Sequence, residues 1–229
     1  MKDPKIIVAL DYDELTPVKN LVGRLNPSLC RLKIGKELFT SCGPQVVDLV
    51  QNQGFEVFLD LKFHDIPVTT AKACKAASNL GVWMVNVHAL GGKRMMEAAK
   101  NAIDSTSNGT KLIGVTILTS HDQDEITKIG IHTPLDDQVN RLAKLAYQAG
   151  LDGVVCSAQE TKILRESIGD DFLLVTPGIR PEGAALNDQK RAVTPHQAMV
   201  NGSSYLVIGR PITQAEDPIA VLESISASI

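Results

Sequence analysis

No apolar stretch in the chain approaches the ~18 residues that a membrane-spanning helix needs. Runs of like charge are missing too. Lysine and arginine number 23 against 26 aspartates and glutamates, for a net charge of −3. A broad basic face for nucleic acid or acidic lipid is thereby excluded, and an anionic ligand must be held by a few placed groups. Cysteine is sparse. Cys30, Cys42, Cys74 and Cys156 form no C-x-x-C pair and suggest no secreted disulfide framework. Cys30 and Cys156 lie in strand-like runs and read as buried free thiols. His64, His121, His132 and His196 lack metal-ligand spacing and read as surface or loop residues. No low-complexity segment or linker appears. The opening "MKDPKIIVALD" is too short for the apolar region of a signal peptide. These absences predict a cytoplasmic protein without membrane or nucleic-acid partners.

What remains is a globular composition, 44% hydrophobic and 21% charged over 229 residues. That length allows a full core, and α/β barrels of roughly 200–250 residues commonly form one domain. Eight short apolar runs recur: "KIIVALD", "LCRLKIG", "FEVFLDLKF", "VWMVNVHA", "LIGVTILTS", "LDGVVCSA", "FLLVTPG" and "YLVIGR". Each has strand length and is rich in Val, Ile or Leu. Helical stripes lie between them, as in Met95, Ala98, Ala99, Ala102 and Ile103, in Val139, Leu142, Ala143 and Ala146, and in Val46, Leu49 and Val50. Gly54, Gly81, Gly150, Gly169 and Gly202 precede strands and suit helix ends. "SAQE" predicts a capping box at Ser157 and Glu160; "TPHQ" predicts one at Thr194 and Gln197, with Pro195 opening the helix. Eight alternations in this length predict a single-domain (β/α)8 barrel, the TIM-barrel class, over residues 1–229. An open doubly wound sheet is the runner-up, but no G-x-G-x-x-G follows the first run.

In such barrels the active site lies at the C-terminal ends of the strands. The informative stretch is "LDLKFHD", residues 59–65, where a buried strand should be nearly all apolar. Alternation puts Asp60 and Lys62 on one face, opposite Leu59, Leu61 and Phe63. The apolar face packs on helices, so the charged pair faces the barrel mouth, and Lys33 of the neighbouring run joins it. Buried ion pairs seldom add stability, which favours function for this set. Asp65 lies beyond the strand and either bends back over its own site or reaches a second subunit. Asp11 suits a helix N-cap before "ELTP" as well as a site carboxylate. Asn86 and His88 read as hydrogen-bonded wall residues.

The opposite side of the mouth reads as an anion grip. "TPGIR" and "VIGRP" each place a glycine beside an arginine after the seventh and eighth runs, where barrels frequently bind phosphate. Glycine admits backbone N–H groups to an oxyanion, and Arg180 and Arg210 offer bidentate contacts. No G-x-x-x-x-G-K occurs, so the expected ligand is a monophosphate. Two long connections, "SHDQDEITKIGIHTP" and "GIRPEGAALNDQKRAVTP", have the length of functional loops. The second suggests a lid over Arg180–Arg191.

With "ALD" at Asp11, "KIG" at Lys33, "LDLKFHDIPVTTAKA", "VNVHALGG", "VTILTS", "TPGIRPEGAALNDQKR" and "YLVIGRPIT", the whole chain resembles the bacterial orotidine 5′-phosphate decarboxylases. The resemblance implies a homodimeric barrel that turns orotidine 5′-monophosphate into uridine 5′-monophosphate and CO2 without metal or cofactor. Lys62 would be the proton donor, with Lys33, Asp60 and a partner-supplied Asp65 completing a charged array. Asp11 and Lys33 would hold the ribose hydroxyls. Ile66 and Thr69 would enter from the partner. Thr119 and Gln189 would meet the pyrimidine end, Gln189 bridging toward the phosphate, and Pro177 would flank the base. Arg180, Gly209 and Arg210 would take the phosphate.

Three other readings stay open on the residues alone. A metal-dependent sugar-phosphate decarboxylase or epimerase shares the acid-x-Lys-x-x-acid strand, but it wants a carboxylate where Lys33 stands. A Schiff-base aldolase wants a lysine without acidic neighbours. A non-catalytic nucleotide-binding protein would not need the intact charged set.

Overall fold

The computed structural model describes residues 3–181 and 193–229. Its strands are β1 (Ile6–Leu10), β2 (Cys30–Gly35), β3 (Val57–Phe63), β4 (Met84–His88), β5 (Lys111–Val115), β6 (Gly153–Val155), β7 (Leu173–Thr176) and β8 (Tyr205–Ile208). Each pairs in parallel with the next, and β8 returns to β1, so the sheet closes in sequence order. The helices are α1 (Leu15–Val22), α2 (Lys36–Cys42), α3 (Gln45–Gln51), α4 (Pro67–Asn79), α5 (Lys93–Asp104), α6 (Gln123–Lys128), α7 (Leu135–Gln148), α8 (Thr161–Ile168), α9 (Pro195–Val200), α10 (Arg210–Thr213) and α11 (Pro218–Ala227). Parallel neighbours require a crossover, and every crossover here carries a helix. The fold is the expected (β/α)8 barrel. No helix among the described residues is long and apolar enough to cross a membrane.

Alternation along the strands sorts two cores. Ile6, Val8 and Leu10 of β1 and Cys30, Leu32 and Ile34 of β2 face outward and join the predicted stripe of α7, Val139, Leu142, Ala143 and Ala146. Ile7, Ala9, Phe58, Met84, Ile113, Val175, Tyr205 and Val207 form a separate cluster inside the barrel. Gly114 of β5 lets α7 approach: a Cβ there would lie 3.3 Å from both the Ala146 methyl and Leu151.

The helix ends match the expected chemistry in part. Gly169 closes α8 with φ +106°, and Gly54, Gly81, Gly150 and Gly202 share its left-handed backbone. Thr194 caps α9 by accepting from Gln197 N–H at 3.3 Å, but the Gln197 side chain turns forward to Asn201 instead of closing the box. Two expectations need correction. Ser157 is not the cap of α8, which starts at Thr161 after Glu160; the Glu160 carboxylate still accepts Ser157 N–H at 2.8 Å, so it closes a preceding turn. Asp11 is not an N-cap, since Glu14 holds that position before α1.

The floor of the barrel carries a cation that the sequence pattern did not single out. Arg31, 6% exposed, is two residues before Lys33 on β2 and so shares its inward face. Its guanidinium pairs with Asp3 at 2.8 Å and Glu56 at 2.7 Å, and lies 4.1 Å from the Trp83 ring centroid. Opposite charge and an aromatic face offset the cost of removing it from water.

All four cysteines are free, and Cys30, Cys74 and Cys156 are buried. Burial raises the thiols of Cys30 and Cys74 to about 12 and pushes Cys156 up as well. The thiolate is the reactive form. Alkylation of the native protein at neutral pH is therefore expected to label Cys42 alone, with the other three reacting only after denaturation. Peptide mass mapping checks this, and native labelling at Cys30, Cys74 or Cys156 contradicts it.

Candidate active site

At the C-terminal end of the barrel the inward positions turn polar. Lys33 stands beside Ala9 in the β1–β2 register and beside Phe58 in the β2–β3 register, and Asp60 follows Phe58 by two residues. Asp60 is the hub. Its Oδ2 lies 3.3 Å from Lys33 Nζ, and its Oδ1 accepts from Lys62 Nζ at 2.6 Å and from Asn86 Nδ2 at 2.7 Å. Lys33 Nζ also lies 3.7 Å from Asp11 Oδ1, which links β1 to the set. Asp60 and Lys33 are buried, while Asp11 is mainly exposed.

Burial would raise the Asp60 carboxyl. The charges of Lys33 and Lys62, with hydrogen bonds from Lys62 and Asn86, outweigh it and hold the carboxyl below its ordinary range. Asp60 is thus an anion at neutral pH, and the ammonium beside it keeps a counter-charge in a site shielded from water.

Lys62 reaches this position from an uncommon backbone. Its φ is +53°, and the β3–β4 register shifts between Leu59 and Phe63. A non-glycine residue in the left-handed region costs roughly 1–2 kcal/mol. Strict alternation did not forecast the shift. Leu61 and Phe63 nevertheless pack on the outer core, so Lys62 points inward as expected.

A cavity of about 400 Å³ opens beside the cluster. It is lined by Asp11, Lys33, Pro177, Gly178, Arg180, Gly209 and Arg210, all expected, and also by Ala9, Val207 and Gln214, which were not. Ala9 and Val207 were recoverable as inward positions of β1 and β8; Gln214 follows α10 and carried no strand or motif signal. Gly209 leaves a close approach: a Cβ there would lie 3.1 Å from Oδ2 of the mainly exposed Asp11. Arg180 is buried, with Nη1 donating to the Ile179 carbonyl at 2.9 Å. The cavity thus has Lys33 and the two arginines among its lining cations, while Asp60 and Lys62 are not lining residues and adjoin it through the Lys33–Asp60 contact.

Four expected site residues stand apart from this set. Asp65 does not fold back: it is exposed, its Oδ1 accepts its neighbour Ile66 N–H at 2.6 Å, and its carbonyl accepts the Thr70 hydroxyl at 3.2 Å. Ile66 and Thr69 are exposed beside it at the start of α4. Thr119 follows β5 in a turn and is not among the cavity's lining residues. The expected roles of Gln189 and of the lid to Arg191 fall on residues outside those described.

His88, on the inward row of β4, has its ring centroid 5.6 Å from that of His64. Burial, then the positive charges of His64, Lys62 and Lys36, push its pKa down to about 4 against a weaker pull from Asp60. It is a neutral wall residue at working pH.

The chain is similar to known proteins over nearly its whole length. The model of the orotidine 5′-phosphate decarboxylase / HUMPS family matches residues 4–225. An orotidine 5′-phosphate decarboxylase of Hydrogenovibrio crunogenus is 61% identical over 99% of this chain and 96% of its own. One from Saccharophagus degradans is 56% identical over 99% and 95%. The crystal structure of orotidine 5′-phosphate decarboxylase from Lactobacillus acidophilus superposes with a TM-score of 0.87 at 42% identity, covering 99% of both chains.

The His88 environment yields a pH prediction. Between its ordinary 6.5 and about 4, the unfolded chain binds a proton at this imidazole that the folded chain does not. Stability is therefore expected to fall as pH drops through that window, and His88→Asn should flatten part of the slope. Asp60 acts lower down, because its contribution is complete above 3.8 and fades as pH falls through its depressed value. Urea unfolding at pH 7 and pH 5 measures the difference; an unchanged slope in the variant counts against it.

Proposed function

The chain belongs to the orotidine 5′-phosphate decarboxylase / HUMPS family, and on that premise we infer how it works: it decarboxylates orotidine 5′-monophosphate to uridine 5′-monophosphate, and Lys62 supplies the proton. The single observation that carries the Lys62 assignment is its ammonium 2.6 Å from the buried Asp60 carboxylate.

The C6–carboxylate bond of the pyrimidine breaks with its electron pair left on C6, and CO2 departs. The ring offers that carbanion no good electron sink. A fixed ammonium beside C6 stabilises the growing charge and then transfers a proton to form the C6–H bond. Lys62 is left neutral and regains its proton from water. Asp60 has two parts in this reading. It accepts a hydrogen bond from the Lys62 ammonium and holds that group in place. It also repels the substrate carboxylate, by about 4 kcal/mol as an upper guide at ~4 Å and an effective dielectric of about 20. That repulsion vanishes as neutral CO2 forms. Stabilisation by Lys62 is the larger contribution in our reading.

Asp11 and Lys33 hold the ribose hydroxyls, Arg180, Gly209 and Arg210 the phosphate, and Pro177 flanks the base. Thr119 and Gln189 serve the pyrimidine end. Support comes from one cavity that brings the ribose and phosphate groups together. Gly209 leaves room for a backbone approach that a side chain would block.

The working unit in this reading is a cytoplasmic homodimer, with Asp65, Ile66 and Thr69 of each chain entering the other's site. Asp65 turned away from its own cluster supports it. So do Ile66, Val68 and Leu90, which are 65%, 62% and 43% exposed just past the ends of the neighbouring strands β3 and β4.

Two experiments test these assignments. Loss of orotidine 5′-monophosphate absorbance should continue unchanged with a chelator present and fall by at least about 10³-fold in Lys62→Ala. Chelator sensitivity would revive the metal-dependent reading, and full turnover in the variant would remove Lys62 from the chemistry. Separately, Lys62→Ala and Asp65→Ala proteins, each inactive alone, should regain up to about a quarter of wild-type activity on subunit mixing, since one site of each hybrid is intact. No recovery means that Asp65 serves its own chain.

A further inference from the structure

We propose that Asn86 is a positioning residue for the decarboxylation, one side-chain amide setting both the Asp60 carboxylate and the backbone turn from which Lys62 projects. The proposal rests on the Lys62 reading above and deepens it.

The β3–β4 register carries the first part. Leu59 pairs with Val85 and Phe63 with Val87. Between those pairs β4 has the single residue Asn86, while β3 must fit Asp60, Leu61 and Lys62. The excess residues break the ladder. Lys62 takes φ +53° there, and its N–H is bonded by a side chain: Asn86 Oδ1 accepts it at 2.8 Å. The other end of the same amide, Nδ2, donates to Asp60 Oδ1 at 2.7 Å.

The chemistry of the partners dictates the residue type. A carboxylate needs a donor and a backbone N–H needs an acceptor, so only one orientation of the amide serves both. Aspartate offers no donor, and a hydroxyl is too short to span them. Asn86 is 0% exposed, so water cannot replace either bond. The oxygen that Asn86 holds is also the one that receives Lys62 Nζ. The amide thereby fixes the two ends of the Lys62 side chain: the backbone it leaves and the anion it reaches. Register alone left Asn86 as one more inward residue of β4; its role came from the break opposite it.

A purely structural asparagine would lower stability, or depress binding and turnover together. A positioning residue separates them, because the phosphate and ribose contacts lie elsewhere in the cavity. Asn86→Ala should lower kcat by about 10²-fold, the scale of a ~1 Å misplacement, with uridine 5′-monophosphate affinity within about threefold of wild type. Asn86→Asp should fall further, since it turns a carboxylate oxygen toward Asp60. Should the alanine variant not fold, Asn86→Ser, which can serve only one of the two partners, carries the same test. A kcat within about twofold of wild type, or equal losses in kcat and product affinity, overturns the proposal. Lys62→Ala is the control. If it retains turnover, the Lys62 assignment itself has failed; if it is inactive while Asn86→Ala is fully active, only the role of Asn86 has.

Discussion

The site depends on one carboxylate held between two ammonium groups. Asp60 is buried, and an isolated anion there would be neutralised or expelled. Lys33 and Lys62 prevent this, and each is in turn kept in place by the anion it serves. A chain of net charge −3 can still receive a phosphorylated, carboxylated ligand because of this local arrangement. Lys33 and Lys62 are balanced by Asp60 and Asp11, and Arg180 and Arg210 add positive charge to the cavity lining. The overall balance of charge says nothing about this; placement at the ends of a few strands decides it.

The barrel supplies that placement by a simple rule. Inward side chains occur at every second residue, so one strand delivers groups to successive heights along the axis. Phe58 fills the interior and Asp60 reaches the mouth. Met84 fills the interior and Asn86 reaches the hub. Ile7 and Ala9 lie below Asp11. The apolar layer under the polar one lowers the local dielectric and blocks water from beneath, which strengthens each charge contact above it.

The eight strands and the charged row were legible because both follow from a two-residue period interrupted by unexpected polar groups. Glycine beside arginine after β7 and β8 was legible for a similar reason, since each motif combines backbone access with a bidentate cation. Other features depend on what lies across the sheet or beyond it. The left-handed Lys62 arises from a register shift against β4, which no single strand reveals. Asp65 follows the strand, so its direction is set by the turn into α4 instead of by alternation. The run toward Thr119 reads as one long strand, yet β5 ends at Val115. Thr116 and Ile117 stay buried after the ladder stops, so apolar character outlasts the strand. Ser157 shows the same kind of boundary error, with the right carboxylate contact and the wrong helix start.

Arg31 and Lys33 tie the two ends of the barrel to one strand. Both are inward on β2, one gripped at the floor by Asp3, Glu56 and Trp83, the other at the mouth by Asp11 and Asp60. Sliding β2 by a single residue would swing both cations into the oily layer beneath the helices and bring Leu32 and Ile34 inside. The stagger of the closed sheet is therefore locked electrostatically from above and below, and the shear that shapes the barrel is guarded by the same residue row that equips its mouth.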